Sequence, residues 1–222
     1  MPRPSRNLDR ALIAAGRELF PARGCALSVR EVADAAGVNL GMFHYHFKTR
    51  EAFLRSLLQG LYEEMYSQLT FQGSREWGAV ENLRAAMRFL GRFLRINRPI
   101  LARVLADAVC AEPVAQQFLR DNFPRHLGVM QALVAQGQKE GLIKPMPVPQ
   151  AMGFLAGSLA LPIIFGGAAI DSGVLAKPVA KALHAALLTD QAIDERIELA
   201  LAALTLSSPA PKAPRKARGG KP

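Results

Sequence analysis

The sequence predicts an all-α protein. Half of its 222 residues are hydrophobic, ample for a packed core. Alternating β-branched runs are nearly absent, whereas Ala, Leu, Arg and Gln dominate. Apolar residues recur at helical spacing in one segment after another. A chain of this length holds one large domain, or a small one followed by a larger one.

The most specific stretch is residues 28 to 53, SVREVADAAGVNLGMFHYHFKTREAF. It predicts two short helices around a glycine turn. Ser28 followed by Glu31 is a capping box, in which each side chain satisfies a backbone N–H at the helix start. Val29, Val32, Ala33 and Ala36 form one apolar face, and small Ala33 lets a second helix approach closely. Gly37 supplies the turn and Val38 points inward. Asn39 caps a second helix running to about His46, anchored on the first by Phe43 and Phe47.

That second helix leaves Asn39, Leu40, Gly41, Met42, His44, Tyr45 and His46 facing outward, followed by Lys48 and Arg50. A short helix with a polar tip, standing on another, is a shape that enters a DNA groove. Asn pairs with adenine and apolar groups sit on thymine methyls. Tyr45, His44, His46, Lys48 and Arg50 suit phosphates, whose contacts set register and much of the affinity. Ser28 adds a hydroxyl at a helix N-terminus, where a phosphate oxygen can be held.

These residues resemble the TetR/AcrR family of one-component transcriptional regulators. The resemblance runs from Ser28-Val29-Arg30-Glu31-Val32-Ala33 through Gly37-Val38 to Gly41-Met42-Phe43-His44-Tyr45-His46-Phe47-Lys48-Thr49-Arg50-Glu51. Upstream, Ala15, Leu19, Phe20 and Arg23-Gly24 look like that family's first helix and its end. The resemblance implies DNA contacts from Ser28, Arg30, Asn39, Leu40, Gly41, Met42, His44, Tyr45, His46, Lys48 and Arg50. Leu40 stands where the family often has a polar residue, Met42 where threonine or asparagine is frequent, and His44 where tyrosine is usual. These departures leave the docking mode intact and change the base preference. Pro21 is expected to kink or loosen the last turn of the first helix.

Thr49 should cap a long helix over about 50–69, with Leu54, Leu57, Leu58, Leu61, Met65 and Leu69 as its buried stripe. Gly73 and Ser74 break the pattern. A helix over 80–97 carries Leu83, Met87, Leu90 and Leu94, and Pro99 restarts the chain into a short helix up to Cys110. Pro113 opens another, Asn122 and Pro124 mark a boundary, and a helix over 125–140 ends at Gly141. The expected organisation is a helix-turn-helix domain over 1–50, a helical ligand-binding and dimerisation domain over 51–206, and a disordered basic tail over 207–222.

The middle helices carry Phe89, Phe93, Val104, Leu105, Val109, Phe118, Phe123, Met130 and Phe154, more large apolar groups than one small core requires. They either pack that core or line a cavity for a small, largely apolar ligand. The candidate contacts are Phe89, Phe93, Phe123 and Met130, with Arg103, Asp107 and His126 as polar fixtures. Arg103 and Asp107 equally read as an i,i+4 surface pair. The resemblance is what favours a cavity.

Residues 145–170 contain no charge. A run of about twenty apolar residues is a membrane-span candidate, and Gly153 and Gly157 have the spacing of a membrane packing motif. Pro162, Gly166 and Gly167 interrupt it, and no N-terminal signal segment is apparent. A helix apolar all round is also what a subunit interface needs. The expected dimer contacts are Met152, Leu155, Leu159 and Ile163, with Ile193, Ile197, Leu201 and Leu204 from the last helix, 190–206. The resemblance implies a four-helix interface built from two such helices per subunit.

The net charge of +10 sits at the ends. Residues 1–50 hold eight cations against four acids, and 207–222 hold five cations and no acid. The rest of the chain is nearly balanced, a distribution that favours nucleic acid over a uniformly basic surface. Cys25 and Cys110 are far apart, which fits a reducing compartment and two small buried fillers. His44 and His46 point to different helix faces while His126 and His184 stand alone, so no metal site is expected. No phosphate-cradling glycine loop, G-x-S-x-G elbow or H-E-x-x-H is present, so neither an enzyme nor a cofactor is implied. The partners expected are a double-stranded DNA operator, a second copy of the chain and a small-molecule effector, with no membrane and a cytoplasmic location. Repression comes from the resemblance. The alternatives are a membrane-associated protein held by 145–170 and a DNA-binding dimer without ligand control.

Overall fold

The computed structural model describes residues 6–71 and 77–206. The tail over 207–222 and the break at Gly73 and Ser74 lie outside the described residues. Helices α1 (Arg6–Arg23), α2 (Val29–Ala35), α3 (Leu40–Phe47) and α4 (Arg50–Phe71) come first. They are followed by α5 (Ala79–Val109), α6 (Pro113–Lys139), α7 (Val148–Leu161), α8 (Gly167–Asp171), α9 (Lys177–Leu187) and α10 (Asp190–Leu204). A π turn, Pro162–Gly166, joins α7 to α8. No strand occurs among the described residues, and one isolated bridge pairs Ile143 with Thr205. The chain is all-α.

Two apolar cores organise these helices. The first gathers Leu12 and Phe20 of α1, Val32 of α2, Phe43 of α3 and Phe53, Leu54, Leu57 and Leu58 of α4. It also takes Ile100, Val104, Val114 and Ala115 from α5 and α6. The second core joins the far ends of α4, α5 and α6 to α7, the π turn and α10. Helix α4 therefore begins in one core and ends in the other. All six residues of its expected stripe are buried. The expected domain boundary at residue 50 falls at the head of this continuous helix.

The breaks expected at prolines are absent. Helix α5 runs through Pro99 and α6 through Pro124. Proline 99 supplies no N–H to the carbonyl of Arg95, four residues earlier. The Arg98 guanidinium donates to that oxygen instead, at 3.0 Å, so the turn keeps its partner. Helix α6 is held beside Pro124 by α4: Asn122 and Gln59 exchange hydrogen bonds at 3.1 and 3.0 Å, and Arg125 pairs with Glu63 at 2.6 Å. Neighbouring side chains override the local breaker.

Arg103 and Asp107 are not a surface pair. Arg103 Nε donates to Asp107 Oδ1 at 2.8 Å, and its two terminal nitrogens donate to the carbonyls of Ala22 and Arg23, both at 3.1 Å. Asp107, only 6% exposed, accepts from the backbone N–H of Cys25 at 2.7 Å. These groups satisfy the end of α1, where helix carbonyls lack intrahelical partners. Gly24 makes the approach possible: its φ is +57°, and a Cβ there would lie 2.2 Å from both Arg103 Nε and Asp107 Oδ2. Cys25 is buried as expected, and burial pushes its thiol up to about 12, with Asp107 adding to the effect. Cys110 is exposed, not a buried filler, because it lies at the C-terminal cap of α5.

The expected interface side chains are also reassigned. Leu155, Leu159, Ile163, Ile193, Ile197, Leu201 and Leu204 are buried in the chain's own second core, and Met152 packs against it. Helix α7 packs against α10 and α6 as well as α5, and α10 meets α5 through a ladder of ion pairs from Arg84, Arg88, Arg92 and Arg95 to Glu198, Asp194 and Asp190. Phe154, Leu161 and Phe165 occupy the exposed side of the uncharged segment, and Leu199 that of α10. The run Val148–Asp171 is long and apolar enough to cross a membrane by length and composition.

Replacing Asp107 with Ala removes the acceptor shared by Arg103 and the Cys25 N–H. Urea unfolding should lose about 2–4 kcal/mol. A loss below the scatter of the measurement would mean that the end of α1 is held by other contacts.

Candidate nucleic-acid interface and interior cavity

The helix pair forms as the sequence dictates. Ser28 Oγ accepts from Glu31 N at 3.2 Å while the Ser28 N–H donates to Glu31 Oε2 at 3.0 Å. These hydrogen bonds from Ser28, with Arg23 at 2.8 Å, hold the Glu31 carboxyl below its usual range. Gly37 turns the chain with φ +66°. Asn39 caps α3 by accepting from Met42 N at 2.9 Å, and Thr49 caps α4 by accepting from Ala52 N at 3.1 Å. Phe43 is fully buried against Phe47 and Phe53, at ring separations of 5.7 and 5.2 Å, which seats α3 on α4.

Helix α3 presents a mixed outer face. Leu40, Gly41, His44, Tyr45 and Lys48 are exposed, Tyr45 at 64%. Arg30 is exposed on α2. Lys48 leaves the helix with φ +59°, a backbone that costs a non-glycine residue about 1–2 kcal/mol. His44 Nδ1 lies 3.1 Å from the Lys48 carbonyl, tying the two together. The Lys48 side chain is exposed.

Several candidate contacts are engaged internally. The Ser28 hydroxyl donates to Glu31 at 2.7 Å, and the Asn39 side-chain oxygen serves the cap. Arg50 pairs with Glu51 at 3.1 Å. Met42 is half-buried. His46 does not face outward: its Nε2 is buried without a protein partner, in a groove shared with Arg17 of α1 and Glu64 of α4. Two-residue spacing from His44 turns it to the other side of the helix. The outward set is therefore Arg30, Leu40, Gly41, His44, Tyr45 and Lys48, with the caps holding it in place.

A cavity of about 120 Å³ lies among α4, α5, α6 and the π turn. Of the candidate ligand contacts, Phe93, Phe123 and His126 line it together. Phe89 borders a separate groove with Trp77, Arg84 and Arg92, Met130 is buried in the second core, and Arg103 and Asp107 belong to the α1 clamp. Leu105 and Phe118, among the large apolar groups noted in the sequence, line it too, whereas sequence reasoning missed Tyr62, Leu101, Asn122 and Ile164. Tyr62 and Tyr66 are stacked one turn apart beside the apolar stripe of α4 with Arg125 over both rings, and that spacing was the available signal. Burial raises the Tyr62 phenol and lowers the His126 imidazole, which is neutral at neutral pH. Among the described residues no group of His, Cys, Asp and Glu could hold a metal ion.

Removing the α3 cap with Asn39→Ala should cost about 1 kcal/mol of stability. The check is a thermal melt at fixed salt, and an unchanged midpoint would mean that packing by Phe43 alone holds the helix.

Residues 12–57 match the family described as bacterial regulatory proteins, tetR family. The HTH-type transcriptional repressor KstR2 of Rhodococcus jostii (strain RHA1) is 35% identical over 51 residues, 22% of this chain and 25% of that protein. The chain thus matches about a quarter of the length of this relative. Among solved structures, the ketosteroid transcriptional regulator KstR2 of Mycobacterium tuberculosis superposes with a TM-score of 0.65 at 18% identity, covering 93% of this chain and 98% of that one. The transcriptional regulator FadR of Bacillus subtilis, in complex with stearoyl-CoA, gives a TM-score of 0.59 at 18% identity, with coverages of 82% and 98%. At these identities the structural likeness concerns the fold.

Proposed function

We propose that the chain, whose residues 12–57 match the tetR family of bacterial regulatory proteins, is a homodimeric repressor released from its operator by a small molecule. The carrying observation is α3, capped by Asn39, seated by Phe43 and exposing Tyr45 and Lys48 at its end. It is a transcription regulator and not an enzyme. Two copies of α3 enter successive major grooves of a pseudo-palindromic operator, with half-sites about one helical turn (~34–36 Å) or a multiple apart. Lys48, Tyr45 and Arg30 grip phosphates, while Leu40 and Gly41 meet base edges, where an apolar tip favours thymine methyls.

The second copy docks on the uncharged segment. Phe154, Leu161 and Phe165 are exposed on one chain and form a contiguous requirement for cover. A cytoplasmic dimer supplies that cover from the same segment of its partner, in a self-complementary contact. The effector enters the cavity beside α5. Stearoyl-CoA in the FadR relative supports a ligand-responsive body of this fold. A ligand that binds the two states unequally moves α4 and α5, and with them α3.

Operators selected from random duplexes test the reading. Lys48→Ala should weaken binding across all selected sequences and lower the salt slope of log K by about one. Leu40→Lys should change the selected sequence instead. Affinity untouched by Lys48→Ala would remove α3 docking. Phe165→Glu should shift sedimentation from dimer to monomer, and a persistent dimer would place the interface elsewhere.

A further inference from the structure

We propose that the cavity among α4, α5, α6 and the π turn selects a compact, uncharged hydroxylated aromatic molecule whose hydroxyl donates to His126 Nε2. This rests on the reading of the helical body as effector-binding.

Size comes first. The cavity of about 120 Å³ is close to the ~150 Å³ apolar cavity that accepts benzene. One six-membered ring with a single substituent fills it.

Charge is the second constraint. No Lys, Arg, Asp or Glu lines the cavity. The nearby cation, Arg125, lies 5.0 Å from the centre of the Tyr62 ring and 4.3 Å from that of Tyr66, and pairs with Glu63 at 2.6 Å. A carboxylate or phosphate placed inside would lose its water and find no partner charge, which is prohibitive in an apolar site. The ligand is therefore neutral.

Hydrogen-bond polarity is the third. Tyr62 Oη donates its one hydrogen to the carbonyl of Asn122 at 2.8 Å. The Asn122 amide is saturated, donating to Gln59 and to the Phe118 carbonyl and accepting from Gln59 and Arg125. His126 Nδ1 lies 3.4 Å from Tyr62 Oη, whose hydrogen is already committed. Nδ1 then carries the proton, directed to that oxygen or to the Asn122 backbone carbonyl. A neutral ring protonated on Nδ1 leaves Nε2 a bare acceptor. Nε2 takes no hydrogen bond among the described residues and is not sealed from solvent, so it is open to an O–H or N–H from a bound molecule. Aromatic walls complete the fit: Phe93, Phe118 and Phe123 surround the space, with Phe123 edge-on to His126 at 5.1 Å.

The test titrates the full-length protein calorimetrically with phenol, anisole and benzoate, alongside retention of the selected operator. Phenol should bind and raise the melting temperature. Anisole, one methyl group larger and without the donor, should bind about tenfold more weakly. Benzoate should give no heat of binding. His126→Leu should bring phenol and anisole to similar affinity, and the wild-type comparison decides the matter even where that variant misfolds. Anisole matching phenol, benzoate matching phenol, or no phenol binding at about 10 mM would each overturn the assignment. Intact operator retention in those cases confines the failure to the ligand class, whereas absent retention without any ligand defeats the regulator reading itself.

Discussion

The end of α1 is the point on which the rest of the molecule depends. A helix ends with carbonyls that need donors, and here the donors come from a helix eighty residues away. Arg103 covers the carbonyls of Ala22 and Arg23, and Asp107 takes the N–H of Cys25. Gly24, with its positive φ and absent Cβ, clears the space for both. Because Asp107 is buried, the pair is stiff in a way that an exposed ion pair is not. The small N-terminal unit is thus fixed to α5 by directional bonds as well as by apolar contact.

That attachment gives the larger body mechanical access to the reader. Helix α5 carries Phe93, Leu101 and Leu105 on the cavity wall and Arg103 and Asp107 at the clamp. Helix α4 carries Tyr62 on the same wall and Phe53 beneath α3. Two helices therefore touch both the cavity and the DNA-facing unit. Close-packed elements of this kind shift as units between discrete arrangements. The bond between Arg17 of α1 and Glu64 of α4, at 2.6 Å, adds a contact that a tilting α4 must stretch or break.

What the sequence made legible follows the range of the forces involved. Capping is local, so Ser28–Glu31, Asn39 and Thr49 could be read directly, as could the glycine turn at Gly37. The α4 stripe was legible because burial repeats with the helix period. Interactions that cross the chain were not. Pro99 reads as a breaker until Arg98 is seen supplying its missing donor, and Asn122 reads as a boundary until Gln59 is found opposite. Arg103 and Asp107 have the spacing of a surface pair, and nothing local tells that α1 ends beside them. The stripes on α7 and α10 were correctly apolar, yet apolarity does not say whether the cover is α5 or a second subunit. Of the expected DNA-facing set, Arg30, Leu40, Gly41, His44, Tyr45 and Lys48 are exposed, while His46 turns to the inner side by its two-residue offset from His44.

As proposed, α3, held through α1 and α4, docks in the major groove as one of a symmetric pair. Hydroxyl-radical footprinting of the protein on its selected operator tests this most directly. Docking of this kind should give two equivalent protected patches related by a two-fold axis, on one face of the duplex and about one helical turn or a multiple apart. A single asymmetric patch, or protection spread evenly along the duplex, would contradict it.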